Sequence, residues 1–457
     1  MFQRFFDEGL AQASFLVACD RTKQAVVIDP RRDASIYTEA VRQHGLVITA
    51  AIETHVHADF VSGSRELAAA TGARVIGGPG SHVAFDHHEV RDGEQLRVGD
   101  VTLTFLHTPG HTPEHVTVQV EERGAPVRLC TGDLLFVGGV GRPDLLGDAQ
   151  TRQLAGALFD SLGRVLAMPD DVEVHPGHGA GSLCGAGIGK DPFSTIGRER
   201  RLNPMLQYGD KVAFVEAVLA DVPETPAYFA RMKRVNSEGP DILDLANATP
   251  RVPEIAPAAA AALAADGAIV LDLRPGAEFA SGHPDGALNF AYGSKVGYWA
   301  GFVLAPGGPL LLLSDDRAQA QDAYVQLLRV GLDAVTGSIA GGIAAWTRAG
   351  LPVAEQPRMS ADDLRRAMAQ GERWHVIDVR TPTEWRGGHI DGSINVPVGG
   401  LPSHLGALPD GPLAVICEGG YRSALAASLL AHEGVPDVVN VADGMAAFRS
   451  AEATRLA

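Results

Sequence analysis

One passage of this chain occurs twice, and this repeat limits the possible folds more than any other feature of the sequence. Residues 269–290 read IVLDLRPGAEFASGHPDGALNF, and residues 376–397 read VIDVRTPTEWRGGHIDGSINVP. Both contain an apolar strand that ends in Asp-x-Arg, and both have a histidine eleven residues after that aspartate. Each continues into a second apolar run, PLLLLS or PLAVIC, and then into a helical pattern. The repeat predicts two successive copies of one α/β domain, each of roughly a hundred residues.

The residues before the repeat have a pattern of their own. From residue 14 to about residue 240, β-rich runs such as SFLVAC and VTLTFLHT alternate with helical runs such as SGSRELAAATG. This alternation is typical of a layered α/β domain. Prolines cluster around residue 250, where a linker is expected, and Ser360 with Asp363 predicts a helix N-cap at the start of the last copy. The predicted domains are residues 1–245, 246–356 and 357–457.

Composition and charge exclude several classes of function. The chain has 46% hydrophobic and 20% charged residues, as a globular protein does, and its formal charge of -17 repels nucleic acids and anionic membranes. The first residues, MFQRFFDEGLAQAS, contain no long apolar run, so we expect neither a signal peptide nor a membrane span. The four cysteines do not pair as CxxC and do not indicate a disulfide framework. The expected location is the cytoplasm.

A group of histidines and aspartates in turns predicts a metal site. The stretch ETHVHADF contains His55-x-His57-x-Asp59, and Phe60 then stands where a further histidine would suit a second metal. His111, Asp133 and His178 follow in the segments HTPGHTPEH, TGDLLF and PGHG. Turns that follow strands gather side chains at one edge of a layered fold. We therefore expect these residues to meet there.

These segments, in this order, resemble the metallo-β-lactamase superfamily over about residues 1 to 240. The resemblance implies an αββα sandwich with its metal site at one sheet edge. In two-metal hydrolases of the superfamily, the second metal uses the histidine that Phe60 replaces here. Two imidazoles and one carboxylate remain for one metal, which is the ligand set of non-haem Fe(II) oxygenases. The persulfide dioxygenases of the superfamily are similar: the residues matching His55, His111 and Asp133 hold iron.

The same resemblance implies roles for the remaining residues of the motif. His57, Asp59 and His178 would surround the ligands, orienting them or handling protons. Two alternatives stay open at this point. A mononuclear zinc site would make the domain a thioester hydrolase, and a noncatalytic sulfur carrier would use the domain only as a scaffold.

The segment GHGAGSLCGAGIGKDPFSTIGRERRLNP, at 177–204, also resembles persulfide dioxygenases that carry fused rhodanese domains. Cys184 lies in it and is a candidate to receive or relay sulfur. Basic residues here and nearby are candidates to bind an anionic thiol carrier. They are Arg142, Lys190, Arg198, Arg200 and Arg201.

A second constellation lies in the last copy, in AVICEGGYRSALAASLL. An apolar strand delivers Cys417 to a short glycine-containing loop that leads into a helix, where loop amides and the helix N-terminus stabilise a thiolate or a persulfide. Arg422 can pair with an anionic donor or acceptor. Glu418 would repel dianions, so a persulfide exchanged with small thiols or sulfite is expected to suit this loop better than free thiosulfate.

The loop, with DVR, GHIDGSINVP and NVADGMAAF, resembles the rhodanese family over about residues 358 to 457, and this family carries sulfur as a cysteine persulfide. In the first copy, a gapless alignment places Ser314 opposite Cys417 and Gln319 opposite Arg422, so this copy is predicted to lack sulfurtransferase activity. The Asp-x-Arg pairs are expected to be structural salt bridges.

The whole chain resembles a persulfide dioxygenase fused to two rhodanese-like domains. The resemblance implies one Fe(II) per chain, with zinc as the alternative. The expected partners are O2, a small-molecule thiol persulfide of the glutathione or coenzyme A type, and sulfite or thiosulfate. The sequence leaves open the direction of the Cys417 step and the oligomeric state, a homo-oligomer included.

Overall fold

The computed structural model describes residues 1–220, 222 and 225–456, the last six of them by backbone alone. The chain separates into two compact units, Met1–Pro250 and Arg251–Ala457. Within the described residues, every helix is too short or too polar to cross a membrane.

The first unit contains two six-stranded sheets. The first sheet has the order β1-β2-β3-β4-β5-β6, and the second has the order β12-β11-β10-β9-β8-β7. The strands of the first sheet are β1 (Phe2–Asp7), β2 (Gln12–Cys19), β3 (Gln24–Ile28), β4 (Val47–Ile52), β5 (Arg74–Gly77) and β6 (His88–Glu89). Those of the second sheet are β7 (Gln95–Val98), β8 (Val101–His107), β9 (Val116–Glu122), β10 (Arg128–Gly132), β11 (Glu173–Pro176) and β12 (Ser194–Thr195).

Helices lie on both outer faces of these sheets. They are α1 (Ser35–His44), α2 (Ser64–Thr71), α3 (Asp148–Leu166), α4 (Ile196–Leu202), α5 (Lys211–Ala220) and α6 (Ala227–Glu238), with a 3-10 turn at Pro204–Gln207. Inward-facing residues of the two sheets, such as Phe15 and Phe105, form one core, while Tyr37 of α1 and Leu158 of α3 belong to cores beneath the helices. These four layers are the αββα sandwich that the resemblance implied.

Burial along β8 shows how the sequence fixes one of these layers. Leu103 and Phe105 are buried, while Thr102 and Thr104, each of which precedes one of them, are partly exposed. This alternation turns one face of the strand toward the other sheet, as the period of two requires.

The boundary predicted after residue 245 falls beside Ala246, which packs in the first unit's core.

The second unit contains the two copies of the repeat. The first copy comprises β13 (Glu254–Ile255), α7 (Pro257–Ala265), β14 (Ile269–Asp272), α8 (Gly276–Ser281), β15 (His283–Pro284), β16 (Leu288–Asn289), α9 (Val296–Val303), β17 (Leu310–Leu313), α10 (Arg317–Arg329), β18 (Val335–Ile339), α11 (Gly342–Arg348) and β19 (Val353–Ala354). The second comprises β20 (Arg358–Met359), α12 (Ala361–Ala369), β21 (His375–Asp378), α13 (Pro382–Arg386), β22 (Ile394–Asn395), α14 (Leu401–His404), β23 (Leu413–Ile416), α15 (Tyr421–His432), β24 (Val438–Val441) and α16 (Gly444–Leu456). Short 3-10 turns occupy Val398–Gly400 and Leu405–Ala407.

The two copies have the same sheet topology. Their parallel sheets have the orders β13-β18-β17-β14-β16 and β20-β24-β23-β21-β22, which match strand for strand. The predicted N-cap of the last copy is confirmed, because Ser360 and Asp363 form a capping box at the start of α12. The Asp-x-Arg pairs are buried ion pairs, with Asp378 2.7 Å from Arg380 and Asp272 bound to Arg274.

The loops after the equivalent strands differ between the copies. Ser314 follows β17 and Cys417 follows β23 at the same sheet register, because Asp272 pairs with Leu313 as Asp378 pairs with Ile416. The next helix begins three residues after Ser314 but four residues after Cys417. The two helices end in the gapless register, because Leu332 N–H binds the Leu327 carbonyl as Val435 N–H binds that of Leu430, so the match of Gln319 with Arg422 stays a prediction.

Candidate metal centre and sulfur-transfer loop

Three donor atoms converge in the first unit. His55 follows β4, His111 follows β8 and Asp133 follows β10, so each is placed by the turn after a strand. The Nε2 atoms of His55 and His111 lie 3.7 and 3.4 Å from Asp133 Oδ2. All three side chains are buried. The structure therefore brings together the three residues that the sequence predicted as metal ligands.

The hydrogen bonds of the two histidines direct their lone pairs into this cluster. His111 Nδ1 donates to the carbonyl oxygen of Arg142 at 2.8 Å. His55 Nδ1 lies 2.9 Å from the Thr54 hydroxyl, which itself donates to Asp29 at 2.9 Å, so the imidazole must be the donor. Both Nε2 atoms consequently carry lone pairs.

This donor set fits a metal cation. Burial, aided by the charge of His57, holds the pKa of His55 well below its usual value, and burial also lowers the pKa of His111. Burial opposes ionisation of Asp133, but the charges of His178 and the other histidines hold the pKa of this carboxyl well below its usual range. Its Oδ2 has no hydrogen-bond partner among the described residues. Two neutral imidazoles and an unsatisfied carboxylate oxygen form a group of donors that favours a bound cation.

His178 binds the carboxylates on the other side of Asp133. Its Nδ1 donates to Asp133 Oδ1 at 2.7 Å, and its Nε2 donates to Asp59 Oδ2 at 2.7 Å. Burial disfavours protonation, but these two carboxylates raise the pKa of His178 to about 10. A ring that donates from both nitrogens is an imidazolium and has no lone pair for a metal. His178 thus supplies here the positive charge that a second ion would otherwise bring.

Phe60 packs beside His57. It is fully buried, and its ring centre lies 4.4 Å from that of His57. Nε2 of His57 points away, toward Asp29 at 3.2 Å and Glu53 at 3.1 Å. Burial acts against protonation of His57, yet these carboxylates raise its pKa well above the usual value. His57 is therefore held by its own acidic partners.

Cys184 lies beside Asp59 and His178. The candidate ligand atoms of these three residues lie within 4.8 Å of one another. Burial, together with the charges of Asp59 and Asp133, raises the pKa of the Cys184 thiol well above its usual value. In this environment the predicted relay cysteine is a neutral thiol, which is a weaker nucleophile than a thiolate.

The basic residues predicted to bind a carrier are placed differently. Arg142 is buried, and its guanidinium binds Asp144 at 2.7 Å and the carbonyl of Leu183, so it anchors the loops around the metal ligands. Arg198 is exposed and binds Asp191, Arg200 binds Asp170, and Arg201 and Lys190 are exposed. None of these five lines the cavity that contains His55 and His57.

That cavity is lined by residues that the sequence analysis did not single out. Its walls are mainly apolar and include Val56, Val83 and Phe85, with Asn236 of α6 at one side. Asn236 donates to the carbonyl oxygens of His57 and Phe60, so α6 is fastened to the metal-binding loop. A carrier that reaches the histidines through this cavity would meet apolar surface.

Two further residues that position the ligands were missed. His115 Nε2 accepts the Asp133 amide at 3.1 Å, and burial lowers the pKa of His115 to about 3. Asp29, which follows β3, accepts hydrogen bonds from both the backbone amide and the hydroxyl of Thr54. The signal for Asp29 was present, because AVVIDP ends an apolar strand with an acid as the other site segments do. Gly132 has φ +47°, and a Cβ there would meet Thr54 and His115 at under 3 Å.

In the second unit, Cys417 lies at the head of α15. Its Sγ accepts the Gly420 amide at 3.1 Å and lies 3.4 Å from the Ser423 hydroxyl. Gly420 has φ +95°, and a Cβ there would collide with the carbonyl of Ala442, so only glycine fits this turn. The loop thus points an amide at the sulfur, as the sequence predicted.

The charges around this loop are paired. Arg422 binds Glu384 through two contacts of 2.7 Å, and Glu418 binds Arg380 at 3.2 Å and also Arg449. Because two guanidiniums neutralise Glu418, its expected repulsion of dianions is weakened. The preference for sulfite or persulfides over thiosulfate no longer follows from this residue alone.

The contribution of the Glu384–Arg422 ion pair to stability depends on pH. Hydrogen bonds from Arg422, opposed by burial, lower the pKa of Glu384 to about 2, whereas an unfolded chain has about 4.3. The ion pair therefore stabilises the fold above pH ~4.3, and this contribution is lost as the pH falls toward about 2. Glu384→Gln should lower stability at pH 7 by under about 1 kcal/mol, because the carboxylate is partly exposed.

Calorimetric melting of both proteins between pH 7 and pH 3 checks this expectation. The difference in melting temperature should shrink toward the acid end of that range. A difference that stayed constant with pH would show that the carboxylate charge has no part in it. Glu372→Gln, in an exposed loop of the same copy, is the matched control.

Comparison with known proteins agrees with this architecture. Residues 7–178 match the metallo-beta-lactamase superfamily, and residues 256–349 and 360–451 each match the rhodanese-like domain. A hydroxyacylglutathione hydrolase of Chromohalobacter salexigens is 30% identical over 245 residues, which are 48% of this chain and 92% of that protein. Of three further proteins with that name, the chain spans 57% to 61% of the length.

Solved structures are also similar. A metallo-beta-lactamase from Staphylococcus aureus has a TM-score of 0.65 and 31% identity, with 74% of this chain and 98% of that chain covered. ETHE1 from Myxococcus xanthus has a TM-score of 0.46 and 30% identity, with 52% and 98% covered. With the sandwich and the matched copies described above, the family matches, the Chromohalobacter relative and the Staphylococcus structure show that the chain belongs to the metallo-beta-lactamase superfamily and continues into two rhodanese-like domains.

Proposed function

We propose that the first unit oxidises a low-molecular-weight thiol persulfide with O2 and that Cys417 handles the sulfur products. The observation that carries the proposal is the ligand group: His55, His111 and Asp133 converge, while Phe60 and the His178 imidazolium take the space and charge of a second metal. Two imidazoles and one carboxylate suit a single Fe(II). A fused domain with a loop cysteine is consistent with a reaction in which both domains act on the same sulfur atom.

The reaction can be written in balance. A persulfide RSSH, O2 and water give the thiol RSH, sulfite and two protons; the outer sulfur is oxidised and the S–S bond breaks. Bound iron would supply open coordination positions for O2 and the substrate sulfur. The name of the relatives supports glutathione as the thiol, and the apolar cavity beside His55 and His57 would hold the carrier.

The chain's own residues arrange this site. His115 and Thr54 fix the orientations of Asp133 and His55, and α6 holds the loop through Asn236. The apolar wall of the cavity limits water around the reacting sulfur. In the second unit, the Cys417 persulfide would transfer its outer sulfur to sulfite, giving thiosulfate and the free thiolate, or would form by the reverse reaction.

The relatives' name favours a second candidate function, the zinc-dependent hydrolysis of a glutathione thioester. The two candidates differ in metal and in their need for O2. Anaerobically purified, iron-loaded protein should consume O2 and release sulfite on addition of glutathione persulfide. Absence of O2 uptake with one bound iron, together with hydrolysis of a glutathione thioester by the zinc-loaded protein, would replace the proposal with the hydrolase.

The role of Phe60 gives a separate prediction. Phe60→His restores the histidine that two-metal hydrolases of the superfamily use for the second ion, so the metal content should rise from one to two ions per chain. Elemental analysis after saturation with zinc and desalting measures this number. Phe60→Leu keeps an apolar side chain and should still bind one. Two tightly bound ions in the unaltered protein would contradict a single-metal site.

A further inference from the structure

The first copy of the repeat packs against the helix that carries Arg422. The Ser428 hydroxyl of α15 accepts the Asn289 amide of the first copy at 2.9 Å. A Cβ on Gly276 would lie 3.3 Å from that of Ala424. Ala424 is two residues after Arg422, so the first copy reaches within one helical turn of the sulfur-transfer loop.

Lys295 stands on this side of the first copy. It directly precedes α9, and its Nζ lies 5.3 Å from the centre of the Tyr298 ring. Phe302 of the same helix packs against Gly399 of the second copy. Burial and the charge of Arg422 lower the pKa of Lys295, which agrees with a position facing that guanidinium.

The charges at the loop otherwise cancel. Arg422 is balanced by Glu384, and the Arg380, Arg449 pair is balanced by Asp378 and Glu418. No carboxylate of a described residue lies within the ion-pair distance of Lys295. Its ammonium is thus a positive charge without an acidic partner among the described residues.

A sulfur oxoanion requires such a charge. Thiosulfate and sulfite are dianions, and a loop whose own charges are paired gives them little net attraction. We propose that Lys295, contributed by the copy that has no thiol, binds the sulfo group of the anion that exchanges sulfur with Cys417. The inference rests on the proposed sulfurtransferase activity and assigns a substrate-binding role to the silent copy.

The step itself is a displacement at sulfur. The Cys417 thiolate attacks the outer sulfur of thiosulfate, the S–S bond of thiosulfate breaks, and sulfite leaves with the bonding electrons. The reverse step returns the outer sulfur of the persulfide to sulfite. In both directions the sulfur oxoanion is a dianion with a negatively charged sulfo group, so one lysine can serve both the donor and the acceptor.

Single-turnover kinetics of the full chain test this role. The Cys417 persulfide is formed with excess thiosulfate, desalted and mixed with sulfite or with uncharged 2-mercaptoethanol. Lys295→Met should slow the reaction with sulfite about tenfold and leave the reaction with 2-mercaptoethanol within about twofold. Lys295→Arg should retain most of the rate. Arg348→Met removes an exposed charge of the same copy and should change neither reaction.

The salt dependence separates binding from a structural effect. In the unaltered protein, added salt should slow the sulfite reaction, and Lys295→Met should reduce that dependence. An unchanged rate with sulfite in Lys295→Met overturns the inference, and so does an equal loss with both acceptors. An unaltered persulfide that reacts with neither acceptor would instead show that the sulfurtransferase activity is absent.

Discussion

Asp133→Asn should abolish O2 uptake with glutathione persulfide and lower iron affinity by more than about 100-fold, because even residues that only orient ligands contribute 10- to 100-fold. The amide keeps the shape of the side chain but removes the negative charge that faces the two Nε2 atoms. It also removes a carboxylate partner of His178 at 2.7 Å. The loss should appear both in elemental analysis and at the oxygen electrode.

The controls for this variant are built into the chain. Asp160→Asn changes an exposed carboxylate of the same unit and should leave iron content and O2 uptake unchanged. Asp133→Asn should still transfer sulfur through Cys417, since that residue belongs to the second unit. If iron content and O2 uptake both survived in Asp133→Asn, the ligand assignment would be wrong.

The second large effect is expected for Cys417→Ser. A hydroxyl cannot form a persulfide, so sulfur transfer between thiosulfate and thiols should fall by at least about a thousandfold. O2 uptake should persist, and sulfite should accumulate where the unaltered protein forms thiosulfate. Quantifying both anions alongside O2 consumption measures the two activities in one experiment.

This variant has an internal comparison in the other cysteines. Cys184→Ser tests the buried thiol beside Asp59 and His178, whose pKa is raised by burial and by the neighbouring carboxylates. Because that thiol is neutral, Cys184→Ser should retain thiosulfate formation. Thiosulfate formed at an unchanged rate by Cys417→Ser would show that another group carries the sulfur.

Much of the fold could be predicted from local pattern. The strand at Gln12–Cys19 and the helix at Ser64–Thr71 were visible in the sequence as the runs SFLVAC and SGSRELAAATG. The repeat predicted two domains that have the same sheet order in the structure. Local sequence is sufficient to predict these elements, because hydrophobic periodicity, helix caps and helix-breaking residues act over a few residues.

The candidate site was only partly predictable for the opposite reason. His178 and Asp59 are separated by 119 residues, yet their side chains are hydrogen-bonded. The sequence segments showed that polar residues follow the strands. They did not show which of these residues would be hydrogen-bonded to each other. Arg142 was expected to meet a substrate, whereas its guanidinium is buried and binds Asp144. Nothing in the spacing of an arginine tells whether an acid lies nearby in space.

The sequence by itself determined the classes of chemistry: the histidine and aspartate motifs with Phe60, the single loop thiol at Cys417, and the missing thiol at Ser314. These are identities of atoms, and no fold can supply a ligand or a nucleophile that the chain lacks. Only the tertiary structure decided how charge is distributed, through the His178 bridge, the pairing of Glu418, and the packing of the first copy against α15. Charge depends on distance and burial, and both are set by packing between residues that are far apart in sequence.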